Sequence, residues 1–289
     1  MKTPEQLKGA IRNIAKEKDL HSQEVLQIFM FERILDRLSQ SPYKKNFVLK
    51  GGLLISSMIG IAERTTMDMD TTVRGIDMDE ANIERIVKEI FAIDTGDGII
   101  FRFEKIEPIR EDDDYNNFRV HFVAEYGKIK NKMKIDITTG DEITPAAIEY
   151  SFHTMFDEKD IDVYAYTLET ILAEKYETVI RRGITNTRSR DFYDLYVLFH
   201  LYKDAINPAI FKLAVDHTSR KRGSYELMAD YESICSEVKT EESLISDWSN
   251  YIEEEKYAAR LSFEEVVDNA VEVGIYLKNL PAWRKEIDS

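Results

Sequence analysis

The stretch FVLKGGLLISSMIGIAERTTMDMDTTV, residues 47–73, decides the fold. Phe47-Val48-Leu49 is a short apolar run that predicts a buried strand. Gly51-Gly52 predicts a tight turn, and Leu53 to Ile61 a helix that starts at it. Residues 68 to 74 alternate and are β-branched, which predicts a second strand. A helix that opens on a glycine turn offers free N–H groups, and these attract phosphate. Asp68 and Asp70 lie two apart, so on a strand their carboxylates share one side. Like charges held together repel unless a cation sits between them. Mg²⁺ is the natural candidate, because it binds carboxylate oxygens and substrate phosphates. Each motif alone also has a plain reading, a simple turn and a solvated strand end. Their order, with Arg64-Thr65-Thr66 between them, favours the machinery of phosphoryl transfer.

Upstream, Leu7, Ile11 and Ile14, then Val25, Ile28, Phe29, Ile34, Leu35 and Leu38, make the first forty residues read as helix, ended by Ser39-Gln40-Ser41-Pro42. Downstream, Met78 to Phe91 is an amphipathic helix, and strands are predicted at 99–106, 118–125 and 133–137. Glu111 to Asp114 reads as a solvated hairpin loop and Lys128 to Lys132 as a second turn. Asp136 lies inside the apolar strand Lys134-Ile135-Asp136-Ile137. It is either a third carboxylate of a metal site or an outward residue of a strand wet on one side. Asp141 reads as a turn residue. From about residue 167 the signal is helical, with segments at 168–182, 191–201 and 208–215. The division is an α/β lobe over 1–160 and a helical lobe over 161–289.

The chain has 39 Lys and Arg against 54 Asp and Glu, a net charge of −15, which excludes a general nucleic-acid coat protein but not one local basic patch. With 43% hydrophobic residues it can bury a core, and its single cysteine, Cys235, excludes an internal disulfide framework. Its five histidines lack ligand spacing, so no zinc site is assigned. No apolar run is long enough to span a bilayer, and the start lacks the apolar core of a signal peptide. The expectation is a cytoplasmic protein with no membrane partner.

Against that acidity, Lys175, Arg181, Arg182, Arg188 and Arg190 form a cationic stretch interrupted only by Glu177. Lys175 and Arg182 are seven apart and share a helical face, Gly183 stops that helix, and Ser189 is a cap for the next, with Asp191 in its first turn. This is a wall for a nucleoside triphosphate, or an Arg–Asp network, with Arg190 and Asp194 at i, i+4, bracing two helices. Arg220-Lys221-Arg222 is a surface cluster or an RNA backbone contact. The aromatics at 192, 193, 196 and 199 read as helix core.

The segments Leu49-Lys50-Gly51-Gly52, Arg64-Thr65-Thr66-Met67-Asp68-Met69-Asp70, Lys134-Ile135-Asp136-Ile137, Glu174-Lys175 with Arg182, and Arg188-Ser189-Arg190-Asp191-Phe192-Tyr193-Asp194 together resemble the AbiEii-type nucleotidyltransferase toxins, relatives of the MenT toxins in the DNA polymerase β-like superfamily. The resemblance implies a two-lobed α/β nucleotidyltransferase, with an N-terminal mixed-sheet lobe flanked by helices, a helical C-terminal lobe and the active site in the cleft. It implies Mg²⁺ on Asp68 and Asp70, with Asp136 as a third ligand. It implies nucleotide contacts from Gly51, Gly52, Ser56 or Ser57, Arg64, Lys175, Arg182 and Arg190. Lys175, Asp191 and Asp194 join Asp68 and Asp70 in the catalytic set. Partners implied are an NTP (GTP or a pyrimidine triphosphate), an RNA acceptor, namely tRNA, and a separately encoded winged-helix antitoxin of the AbiEi type, in phage defence by abortive infection. One departure is Gly51-Gly52 where many superfamily members have Gly-Ser. Alternatives are a nucleotidyltransferase that modifies a protein or small molecule, and a non-catalytic nucleotide-binding regulator.

Overall fold

The computed structural model describes residues 2–109, 116–156 and 159–280. The chain divides into two compact units, Met1–Asp141 with Ala147–Tyr166, and Glu142–Ala146 with Thr167–Ser289.

The first unit is built on a seven-stranded sheet. Its elements are α1 (Pro4–Glu17), α2 (Ser22–Gln40), β1 (Phe47–Lys50), α3 (Gly51–Ile59), β2 (Met69–Val73), α4 (Glu80–Phe91), β3 (Ile100–Ile109), β4 (Asn117–Tyr126), β5 (Ile129–Thr139), β6 (Ile148–His153) and β7 (Asp160–Ala165). The strand order is β3-β4-β5-β2-β1-β7-β6. β1 is antiparallel to β2, while β5 and β7 run parallel to β2 and β1 respectively. The resulting sheet is mixed, as the sequence analysis expects.

The N-terminal forty residues form two helices rather than one. Asp19 adopts a φ of +53° and the Leu20 N–H donates to the Ala15 carbonyl at 2.8 Å, so the backbone turns there. α2 is then enclosed on nearly all sides. Its Arg37 donates a two-bond fork to Asp97 at 2.7 and 2.8 Å and lies 4.8 Å from the Phe101 ring centre. Its Glu32 accepts from the Met155 N–H at 2.9 Å, and Asp36 accepts from Lys159 at 2.8 Å. Charged side chains this deep are tolerated because each is paired. Ile34 and Leu38 of α2 and the aromatic trio Phe91, Phe101 and Phe122 (centroids 4.8–6.0 Å apart) belong to the core under the sheet. Truncating a fully buried ring such as Phe122 costs about 3–5 kcal/mol.

Three sequence readings change here. The turn read over Lys128 to Lys132 is shorter, confined to Gly127 and Lys128, because β5 already begins at Ile129. Ile129, Asn131 and Met133 point inward, and the Asn131 amide bonds Gln27 and Gln23 at 2.8 and 2.7 Å. β6 and β7 were not anticipated. β6 is an edge strand with only Phe152 buried, so it lacks an apolar pattern, whereas Ile161, Val163 and Ala165 of β7 do alternate inward. Adding β7 moves the division from 160/161 to 166/167. The acidic run Glu111–Asp114 lies outside the described residues.

The second unit is helical, with α5 (Leu168–Arg182), α6 (Ser189–Tyr202), α7 (Pro208–Lys221), α8 (Tyr231–Thr240), α9 (Glu242–Glu254) and α10 (Phe263–Lys278). Thr167 caps α5 by accepting from the Thr170 N–H, and Gly183 ends it with a φ of +48°. Phe192, Tyr193 and Phe199 are buried as core, while Tyr196 stacks on His200 with ring centres 4.2 Å apart. α10 approaches α8 closely, since a Cβ on Gly274 would stand 2.3 Å from the Tyr231 ring. Among the described residues no helix is long and apolar enough to cross a membrane.

Candidate active site

The first unit carries the glycine turn and the aspartates. β1 delivers the chain into Gly51, whose φ is +66°, and α3 starts there. A Cβ on Gly51 would lie 2.2 Å from Asp70 Oδ2, so the Asp70 carboxylate is seated against a position only glycine can fill. A Cβ on Gly52 would lie 2.8 Å from Thr66 Oγ1 and 3.2 Å from Arg64 Nη2. The Gly-Gly pair thus lets the 64–66 segment fold back onto the start of α3. Arg64 is buried there, donating to the Thr65 carbonyl, and the Thr66 hydroxyl accepts from the Asp68 N–H at 3.2 Å.

Asp70 and Asp136 are direct cross-strand partners in the parallel β2–β5 pair, so they share a face, whereas Asp68 stands one residue before β2 rather than on the strand. Asp136 receives a two-bond fork from Arg119 of β4, both bonds 2.7 Å. That pairing holds the Arg119 guanidinium above its ordinary pKa, chiefly through the Asp136 hydrogen bonds. Asp68 Oδ1 is buried with no hydrogen bond directed at it, and Lys134 Nζ lies 3.0 Å away as a charge contact off the hydrogen-bond axis. Among the described residues no group of three or more acids, histidines or cysteines is arranged to hold a metal. The donor set that fits a hard cation is therefore the Asp68/Asp70 pair. Asp136 is instead engaged by Arg119.

Other sequence readings change in this unit. Ser56 is buried and donates to the Arg64 carbonyl at 2.6 Å. Ser57 donates to Leu54 at 2.7 Å and lies 2.9 Å from the Tyr150 hydroxyl. Both stand a turn or more beyond the α3 N-terminus, so neither is a free phosphate donor. Asp141 is no simple turn residue. It pairs with Lys50 at 2.6 Å and accepts from Thr138 at 2.8 Å. Burial opposes its ionisation, but Lys50 and the hydroxyls of Thr138 and Thr72 outweigh that and hold the carboxyl at about 2. Lys50, Arg119, Lys134 and Asp141 were missed as site neighbours because each acts through a partner on another strand.

The second unit carries a compact triad. Lys175 of α5 donates to Asp191 at 2.6 Å and lies 2.8 Å from Asp194 Oδ2, both on α6. Asp194 is fully buried. Burial would lower the Lys175 pKa, but the charges of Asp191 and Asp194 raise it above the ordinary value, so the amine is a cation. Asp191 keeps one buried oxygen, Oδ2, with no hydrogen bond. Arg182 is pushed below its ordinary pKa, first by burial and then by the charges of Arg188 and Arg181, and its Nε is buried without a hydrogen bond. A guanidinium so placed favours an anion.

The cationic wall is narrower than its sequence. Arg181 donates to Glu177 at 2.7 Å, and Arg222, also 2.7 Å from Glu177, reaches Glu174 at 3.3 Å. Glu177 is fully buried, so Arg222 is an internal ion-pair residue and not an outer RNA contact. Arg220 lies over the Tyr225 ring at 3.6 Å. Arg190 lies 3.9 Å from Glu255 rather than bracing α6 as the i, i+4 reading has it. Ser189 is the first residue of α6, with Arg188 at the cap, so the predicted serine cap is not made.

The mixed sheet with a glycine turn, Asp70 on β2 and Asp68 just before it, is a nucleotidyltransferase architecture. Two solved structures share the fold over most of their length. One is JHP933 from Helicobacter pylori, at 17% identity and a TM-score of 0.51, covering 90% of this chain and 92% of that one. The other is described as a putative nucleotidyltransferase from H. pylori, at 17% identity and a TM-score of 0.50, with 90% and 95% covered. No curated protein matches the chain in sequence. Residues 33–269 match the family described as nucleotidyl transferase AbiEii toxin, type IV TA system, and the chain belongs to that family. It is a nucleotidyltransferase enzyme of a toxin–antitoxin system.

Proposed function

We propose that the protein is a Mg²⁺-dependent toxin that transfers a nucleotide from an NTP, either GTP or a pyrimidine triphosphate, to the end of an RNA, most simply tRNA. Its biological setting is cytoplasmic phage defence, restrained by a separately encoded winged-helix antitoxin. The observation that carries the reading is the seating of Asp70 on Gly51, with Asp68 two residues before it. That seat sets the Asp70 carboxylate beside the N–H groups that open α3.

The residues fit a single divalent cation held by Asp68 and Asp70, with phosphate oxygens and water completing its shell. Bound there, the ion would offset charge on the triphosphate as it breaks. Gly51 and Gly52 offer backbone donors to phosphate. Within the second unit, Arg182 is the side chain suited to an anion, because the charge of Lys175 is already matched by two acids. Asp191, with its unbonded Oδ2, is the candidate for orienting or deprotonating the attacking hydroxyl. Asp194 holds Lys175, and Lys175 in turn holds Asp191.

An acceptor other than RNA is favoured by one finding: Arg181 and Arg222 are engaged with Glu177, which leaves a small cationic surface on a chain of net charge −15. The experiment is incubation with each α-labelled NTP and either total tRNA or a tRNA-free lysate. Label on tRNA that disappears with Asp70→Asn and Asp191→Asn supports the proposal. Label confined to protein or small molecules establishes the alternative acceptor, and labelling that survives Asp70→Asn removes the assigned site.

A further inference from the structure

Asp68 and Asp70 are supported differently. Asp70 is seated on the glycine turn, whereas Asp68 precedes β2 and its buried Oδ1 receives no directed hydrogen bond. Its neighbour is Lys134. The parallel register sets Met69 beside Ile135 and Asp70 beside Asp136, and one residue before β2 Asp68 meets Lys134 of β5. Alternation along β5 turns Lys134 outward with Asp136, while Ile135 and Ile137 point into the core.

The two carboxylates with a named protein cation are held unequally. Arg119 grips Asp136 through two bonds of 2.7 Å from a rigid planar fork. Lys134 meets Asp68 through a single off-axis contact at 3.0 Å, and the two side chains are 35% and 36% exposed. A lysine ammonium on a flexible stem moves away at small cost, and a half-exposed ion pair of this kind is weak.

We infer that Lys134 is the internal counterion of Asp68: it holds that carboxylate in place in the metal-free protein and is the group a divalent cation displaces, while Arg119 stays on Asp136. The inference rests on the proposed metal reading of the Asp68/Asp70 pair. Lys134 is accordingly a positioning residue that sets how tightly the pair takes a divalent ion. Arg119 keeps Asp136 from becoming a third ligand. A divalent ion binds a carboxylate oxygen directly and carries twice the lysine's charge, so it wins the competition when present.

The test is titration of the full chain with Mn²⁺ without nucleotide, following the electron paramagnetic resonance signal of free Mn²⁺. The inference expects Lys134→Met to tighten Mn²⁺ binding about three- to fivefold, the size of one weak ion pair removed from competition. Lys134→Arg should stay within about twofold of wild type. Lys132→Met is the control, since Lys132 is exposed on the same face of β5 two residues away. It removes the same charge without the Asp68 contact and should also stay within about twofold. Thermal melting in chelator confirms that each variant is folded, and Lys134→Gln replaces Lys134→Met if the latter is not. Unchanged or weaker Mn²⁺ binding by the folded Lys134 variant overturns the inference, as does equal tightening by Lys132→Met. Asp68→Asn separates the two levels. If it fails to weaken Mn²⁺ binding, the metal reading itself is wrong; if it weakens binding but Lys134→Met does not tighten it, only the counterion role fails.

Discussion

Replacing Lys50 by methionine removes the partner of a buried carboxylate beside the glycine turn. Asp141 is held at about 2 instead of its ordinary 3.8, a difference of nearly two units in favour of the charged form. At 1.36 kcal/mol per unit this amounts to about 2 kcal/mol of stability at neutral pH. The Lys50 and Asp141 side chains are only 14% and 18% exposed, so solvent screens the pair little. Removing one partner also leaves the burial cost of the other uncompensated, which brings the expected loss to about 2–3 kcal/mol. For a unit of this size that lowers the melting temperature by roughly 5–10 °C. The sign of the pH dependence follows from the depressed pKa. The wild-type contribution is present above about pH 4 and is lost as pH falls toward 2. In Lys50→Met only the Thr138 and Thr72 hydroxyls still oppose the burial cost, so the Asp141 pKa rises from its wild-type position and acid weakens the variant less than the wild type. Urea melts of both proteins from pH 7 to pH 3 should show a gap that is widest at neutral pH and narrows in acid. Adding Asp141→Asn closes a double-mutant cycle and isolates the pair from other Lys50 contacts. A neutral-pH gap below about 0.5 kcal/mol, a gap that does not change with pH, or zero coupling in the cycle would refute the reasoning.

Gly51→Ala should abolish nucleotide transfer and destabilise the protein by about 1–2 kcal/mol, because the new Cβ collides with the Asp70 carboxylate at a positive φ. Radiolabel transfer and thermal melting measure the two effects, and an active, stable variant would show that the seat is not needed. Arg222→Met should lower stability by about 2 kcal/mol, since fully buried Glu177 loses a charged partner, whereas Arg188→Met at an exposed cap position should leave stability unchanged and weaken acceptor binding. Urea melts and a filter-binding titration separate these outcomes, and equal stability of the two variants would contradict the assignment of Arg222 as internal.

Much of the site was legible because it is local. Strand, glycine turn, helix and second strand follow one another within residues 47–73, although β2 begins at Met69, so Asp70 lies on the strand and Asp68 just before it. The 168–182 helix is legible with its bounds from its helical spacing and from Gly183, which marks its end in the sequence. The basic character of residues 181–190 was equally plain, although charge alone does not say which cations have internal partners.

The sequence by itself determined the order of elements apart from β6 and β7, the carboxylate spacing and the α5 and α6 residues that carry the Lys175 triad. These depend on helical and strand periodicity, which neighbouring residues impose. Only the tertiary structure decided which strand lies beside which. Parallel pairing of β2 with β5 joins residues more than sixty apart, and it sets Asp136 beside Asp70 and Lys134 beside Asp68. The β4–β5 register then supplies Arg119 to Asp136. The same holds for Lys50 with Asp141, 91 positions apart, and for Arg222 with Glu177, 45 apart. A lone charged residue looks alike in sequence whether solvent or a distant partner will compensate it, and only the packing that removes water forces the choice.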